Sequence, residues 1–166
     1  MGITAVAIYG ATMTTSANES IAQWDKAMQL ARALHCDVVA GLTWRDNALT
    51  VQENLPLFAE RFGPICKMAA ERGIRVALAP WPGSVLGHGP YRWTNLATTP
   101  ELWDLLFEAV PSPALGLEYD PSHLYWQGVD HIHAIHDYAG RIHHVHAKDI
   151  LLDQERRRRV GLQRNR

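Results

Sequence analysis

Short apolar runs alternate along the chain with longer stretches in which apolar residues recur every three or four positions. Ile3 to Tyr9 is the first run, and Gly10 ends it. After a polar loop, Ile21, Trp24, Met28, Ala31 and Leu34 repeat at the spacing of one helix face. Val38–Leu42 is the second run. Leu55, Phe58, Phe62, Ile65 and Ala69 predict the next helix, with Pro56 in its first turn, a kink at Pro64 and Gly73 as its stop. The third run is Ile74–Ala79, ended by Pro80-Trp81-Pro82-Gly83. A long loop follows to about residue 98. Thr99-Pro100-Glu101 then opens a helix, with Thr99 as N-cap and Pro100 at the first position, where its missing N–H costs nothing. Leu115–Asp120 is the fourth run. Val129, Ile132, Ile135 and Tyr138 predict a helix stopped by Gly140, and Arg141–Ala147 is the fifth run.

Strand and helix thus alternate about five times, the mark of repeated βαβ units on a parallel sheet. Two architectures fit: an open doubly wound sheet and a (β/α)8 barrel. No G-x-G-x-x-G follows the first run, so the dinucleotide-binding version of the open sheet lacks its signature. A complete barrel takes about 250 residues. A barrel reading of these 166 residues is therefore an incomplete one, with about five βα units.

Composition excludes more than it reveals. Hydrophobic residues are 47% and charged residues 20%, as in an ordinary globular domain, and a formal net charge of -1 gives no pull toward nucleic acid or an anionic membrane. No apolar run is long enough to span a bilayer, and the N-terminus has no basic segment before its apolar stretch, so a cytoplasmic location is expected. Cys36 and Cys66 have no metal-ribbon or redox spacing and read as buried thiols. The four-Arg run Arg156–Arg159 reads as part of a solvated, disordered basic tail over residues 151–166.

Histidine changes the picture. Of nine, seven lie between His123 and His146. In parallel α/β folds the functional groups stand at the C-terminal ends of strands. Side chains alternate faces along a strand, so Ile142, His144 and His146 should share one face, and His143 and Val145 the other. In the fourth run Gly116, Glu118 and Asp120 share a face. Asp120, at the strand end, His123, on the loop beyond it, and His146 can then converge on one rim. Carboxylate oxygen and imidazole nitrogen suit a divalent cation such as Mn²⁺, Mg²⁺, Co²⁺ or Zn²⁺. His131, His133 and His136 fall on a helix and are expected to face solvent. His143 and His144 read as structural, and His35 and His88 as loop residues.

Two segments carry a resemblance. Leu115-Gly116-Leu117-Glu118-Tyr119-Asp120-Pro121-Ser122-His123-Leu124, followed by Arg141-Ile142-His143-His144-Val145-His146-Ala147-Lys148-Asp149, resembles the sugar phosphate isomerase/epimerase family. That family belongs to the xylose isomerase-like TIM barrels and is related to the apurinic-site endonucleases. Thr50–Pro56 and Pro100–Asp104 are similar to it as well, so the likeness runs from about residue 3 to about residue 150 and implies a partial barrel over residues 1–150. It implies one divalent metal held by Glu, Asp, His and Glu from successive strands. Asp120 matches the Asp ligand and His146 the His ligand. His123 matches a His beside the metal that contacts substrate, and Lys148 joins it as a substrate-binding residue. The substrate implied is a sugar or sugar phosphate. The reaction implied is aldose–ketose isomerisation or epimerisation through an enediol, with two Glu moving the proton.

The chain departs from that pattern. Ala79 stands where the first acid/base Glu belongs, and the second Glu would come from a later strand. Glu118, inward but one layer below Asp120, is expected to lie too deep to replace the carboxylate missing at Ala79. No catalytic residue is therefore assigned, and weak or absent activity is expected. The alternative reading is a non-catalytic fragment, or a sugar- or metal-binding protein retaining the scaffold. A phosphodiester-cleaving relative would need more His and Glu ligands than remain. Open barrel edges predict self-association.

Overall fold

The computed structural model describes residues 2–10, 13, 15–83 and 94–160. Five strands, β1 (Val6–Ile8), β2 (Val38–Gly41), β3 (Arg75–Leu78), β4 (Leu115–Tyr119) and β5 (Ile142–Val145), pair in parallel in the order β1-β2-β3-β4-β5. This order decides between the two architectures. A doubly wound sheet reverses its strand order at a switch point. Here every strand lies beside its sequence neighbour, as in a barrel wall.

Three long helices fill the crossovers: α1 (Ala17–Ala33), α2 (Val51–Glu71) and α3 (Pro100–Ala109). Right-handed crossovers in an unreversed sheet place all of them on one face. The core lies there, with Val39, Val76, Leu78, Leu115 and Leu117 of the strands packed in one cluster with Trp24, Phe58, Phe62, Ile65 and Trp103 of the helices. Phe58 and Phe62 stack with ring centroids 4.5 Å apart, and Trp24 meets Phe62 edge-on. The opposite face carries a separate, small cluster of Val38, Ala40 and Ala77.

That second face is what shapes the site. Ala7 pairs with Ala40, Ala40 with Ala77, and Ala77 with Gly116. A level row of the smallest side chains lets the sheet curl tightly over it. The curl is sufficient for His144 Nε2, on β5, to stand 3.2 Å from Thr4 Oγ1, just before β1.

The helices begin where the sequence supplies caps. Ser16 with Glu19, and Thr50 with Glu53, form complete capping boxes. The second starts α2 four residues before its first expected apolar position, so Pro56 falls in the second turn. Pro64 does not end the helix: α2 runs unbroken to Glu71. Pro56 and Pro64 both lie on its exposed side, where water can take the carbonyls their missing N–H groups leave free. Thr99 stands at the N-cap of α3 in extended conformation, but its side chain makes no capping hydrogen bond.

Two short helices follow β4: α4 (Pro121–Gln127) and α5 (His131–Asp137), then a 3-10 turn at Ala139–Arg141. His123 therefore rides on a helix, not a loop. Asp120 is the N-cap of α4, and Pro121 occupies its first turn. Within the segment expected to be a disordered tail, Gln154–Val160 forms a further helix, α6. No described helix is long and apolar enough to cross a membrane.

Candidate metal and sugar site

The rim after β3, β4 and β5 encloses a recess of about 210 Å³ lined by Ala79, Trp81, Glu118, Asp120, His123, His146 and Lys148, among others. The loop forming its β3 side is pinned by Asn95, which is 1% exposed. Its Oδ1 accepts from the Thr43 and Trp44 N–H groups and the Thr43 hydroxyl. Its Nδ2 donates to the Ala79 and Trp81 carbonyls, at 2.8 Å each. One amide thus ties the end of β2 to the end of β3.

The expected residues do meet. Asp120 is buried at 1% exposure. Its Oδ1 accepts from the Ser122 N–H and hydroxyl. Its Oδ2 faces three basic groups: Lys148 Nζ at 3.1 Å, His123 Nε2 at 3.4 Å and His146 Nδ1 at 3.4 Å. Burial alone would raise the Asp120 carboxyl. The hydrogen bonds from Ser122 and Lys148 and the charges of His123 and Lys148 outweigh it and hold the group below the usual carboxylate range. Burial pushes His123 down from its ordinary value, opposed by Asp120 and assisted by Lys148 and His146. The Trp126 indole N–H, a donor only, points at His123 Nδ1 from 3.4 Å. The His123 proton therefore sits on Nε2, toward the rim.

The simple alternation of faces fails in β5. Leu117 pairs with Ile142, but Glu118 pairs with His144, so the register slips by one residue there. This bulge leaves Ile142 and Val145 toward the helices and turns both His143 and His144 inward. His143 lies over Gly116, and its Nδ1 reaches across β4 to the Val76 carbonyl at 3.1 Å. Burial depresses its basicity, and Arg75 and Arg141 add to the effect.

Glu118 is also closer to the chemistry than the sequence suggests. Ala77 pairs with Gly116, so two residues further on Ala79 and Glu118 stand at one level. Glu118 Oε1 lies 3.2 Å from His144 Nδ1 and 3.1 Å from His146 Nε2. Glu118 is 2% exposed, and its Oε2 is buried without a hydrogen-bond partner. Among the described residues, Glu118, His144 and His146 are the group whose ligand atoms converge closely enough for one cation. An orphaned carboxylate oxygen beside two imidazole nitrogens fits a divalent metal in donor type and charge. Sequence reasoning missed Glu118 and His144 as donors. The signal was the double His143-His144 opposite Gly116.

Elsewhere the expectations need little change. His133 is exposed and pairs with Asp130, which caps α5. Cys36 and Cys66 are free and buried. His88 lies outside the described residues.

A family model described as a xylose isomerase-like TIM barrel matches residues 2–165. Inosose dehydratase from Geobacillus thermodenitrificans (strain NG80-2) is 29% identical over 102 residues, 61% of this chain and 30% of that protein. Among solved structures, the probable 3-DHS dehydratase AsbF from Bacillus anthracis has a TM-score of 0.76 at 20% identity, over 91% of this chain and 52% of that one. L-ribulose 3-epimerase has a TM-score of 0.67 at 20% identity, over 86% and 49%. The IolI protein with a bound zinc atom has a TM-score of 0.64 at 17% identity, over 93% and 55%. The chain spans about half the length of these structures and less than a third of the curated relative.

Proposed function

On the premise that the chain belongs to the xylose isomerase-like TIM barrel family, we propose that its rim is a divalent-metal site for a sugar or sugar phosphate, of isomerase or epimerase type. Asp120 and His146 are its metal-side residues, and His123 and Lys148 face the substrate. The observation that carries this is the convergence of His123, His146 and Lys148 on one buried oxygen, Asp120 Oδ2. Three basic groups on one buried carboxylate oxygen exceed the single partner that a buried ion pair requires. They suit a place where oxygen-rich ligands are held.

A bound divalent cation would polarise a carbonyl or hydroxyl oxygen of the sugar. The chain's own groups do the rest. Lys148 Nζ donates to oxygen atoms or phosphate entering the recess. His123 offers its Nε2–H to a hydroxyl or carbonyl. Trp81, 44% exposed at the mouth, gives an apolar face for a sugar ring.

The proton on carbon beside the carbonyl has no obvious acceptor, because Ala79 occupies the family's carboxylate position. That residue favours a second reading, a sugar-binding protein on the same scaffold. One experiment separates the two. Ketoses, aldoses and their phosphates are incubated with the chain and Mn²⁺ in D2O, and deuterium at the carbon beside the carbonyl is followed by NMR. Exchange above background, increased in Ala79→Glu, supports isomerase chemistry. Saturable sugar binding without exchange in either protein supports the binding reading. Neither exchange nor binding for any sugar sinks both.

A further inference from the structure

We propose that Trp44 is a positioning residue for the recess. It holds the Trp81 ring in one orientation, so that the mouth offers a fixed apolar wall to the carbon-bound hydrogens of a sugar. What lies on that wall rests on the sugar reading above; the wall itself rests on geometry.

Trp44 has a φ of 53°. For a bulky residue this left-handed conformation is an outlier, and it persists only where the surroundings over-determine it. Among the described residues His35 is the other non-glycine at positive φ. It directly follows the C-cap of α1, where a left-handed residue is the ordinary end of a helix. Trp44 ends no helix. It stands three residues past Gly41, the last residue of β2, on the rim side of the sheet.

The surroundings do fix it. Its backbone N–H donates to Asn95 Oδ1 at 3.2 Å. Its indole N–H donates to the Gly10 carbonyl at 3.1 Å. Its ring meets that of Trp81 edge to face, with centroids 5.9 Å apart and planes at 85°. Gly10 follows β1 and Trp81 follows β3, so one side chain ties together the ends of three adjacent strands. Glycine or asparagine would take this φ with less strain, but neither carries a ring that reaches Gly10 and Trp81 at once. Trp81 is thus held twice, by its carbonyl through Asn95 Nδ2 and by its ring through Trp44.

Trp81 lines the recess and is 44% exposed, whereas Trp44 does not line it. Whatever Trp44 contributes to a ligand therefore passes through Trp81. A ring held in advance loses little freedom when a ligand settles on it. It also favours sugars that turn a run of C–H groups toward it over epimers that turn a hydroxyl there.

The test uses the purified full chain labelled with fluorotryptophan, with the Trp81 fluorine resonance assigned from Trp81→Phe. Trp44→Asn suits the left-handed backbone but lacks the ring, and it should move the Trp81 line toward the position of free fluorotryptophan. Trp44→Phe loses the bond to Gly10 but keeps a ring, and it should move the line by less. Melting of each variant checks folding; if Trp44→Asn fails to fold, the smaller shift in Trp44→Phe decides. Calorimetry with fructose, tagatose, psicose and their phosphates then reads binding. Trp44→Asn should weaken the best-bound sugar by about 2–10-fold, the size expected of one loosened aromatic contact. The same substitution should weaken it no further in a Trp81→Ala background. A Trp81 line unmoved in the folded variants would overturn the proposal. An equal loss of affinity in both backgrounds would overturn action through Trp81, and a moved line with unchanged affinity would overturn the role of the wall in binding. No sugar bound by wild type, with the line still moving as expected, would uphold the positioning and remove only the sugar reading.

Discussion

The imidazole of His143 fills the space that a side chain on Gly116 would need. A Cβ built on Gly116 would lie 2.6 Å from His143 Cε1 and 2.2 Å from the Arg141 carbonyl oxygen. The glycine is required by this close approach, since one of the two neighbours is backbone. Gly116→Ala should cost about 1–3 kcal/mol by overpacking. In a chain of this length that lowers Tm by roughly 2–12 °C. A melt within 1 °C of wild type would show that β5 shifts freely, and the bulge would lose its explanation.

Asn95 is the buried polar knot of the molecule. Replacing it with Leu removes the amide to which the Thr43 and Trp44 N–H groups and the Ala79 and Trp81 carbonyls are bonded. Buried groups left unsatisfied cost about 1–3 kcal/mol each. Asn95→Leu should therefore destabilise by about 3 kcal/mol or more in urea unfolding, far beyond the loss from an ordinary surface change. A midpoint unchanged from wild type would contradict the knot.

Cys66, at 0% exposure on α2, has its thiol pushed up from 9.0 to about 12 by burial. The unfolded chain ionises this thiol near 9 and the folded chain does not. Its contribution to stability is therefore complete below pH 9 and is lost as pH rises toward 12. In the native protein at pH 8 the thiol should resist maleimides, and its labelling rate should follow global unfolding. Rapid labelling of Cys66 under native conditions would disprove its enclosure. Cys66→Ala should remove part of the alkaline fall in stability.

β5 pairs with β4 alone among the described residues, and Val145 at its end is 48% exposed. Beside it, Ile132, Ile135 and Tyr125 line a shallow groove of about 670 Å³. An open strand edge next to apolar surface invites pairing. Light scattering should show association growing with concentration, and Val145→Lys should shift it toward monomer. A wild-type chain that stays monomeric at high micromolar concentration would mean that this edge is protected.

Much of this was legible in the chain. The five apolar runs became the five strands because parallel strands buried on both faces need nearly continuous apolar sequence. The meeting of Asp120, His123 and His146 followed from placing Asp120 and His146 at strand ends and His123 just beyond one. Where the reading failed, it failed on strict alternation. The rule of two places His143 toward the helices, but a glycine across the ladder let β5 gain a residue and turn inward. Glu118 is expected one layer below Asp120 and too deep, yet Ala79 and Glu118 occupy one level by strand register. None of these is visible from one strand or helix taken singly, because each depends on the neighbour opposite.

The His144–Glu118 contact joins residues 26 apart in sequence, on strands that adjoin. The ligand atoms of the Glu118–His144–His146 group thus all come from one βα unit and the strand after it. Metal binding and folding are the same free energy wherever a site forms only in the folded chain. A cation held there would act as a clasp on a short loop, whose closure is cheap, and could be gained while the remainder of the sheet is still assembling. The fold would then inherit its order from the end that carries the chemistry, and β5, the strand with a neighbour on one side only, would be fastened first.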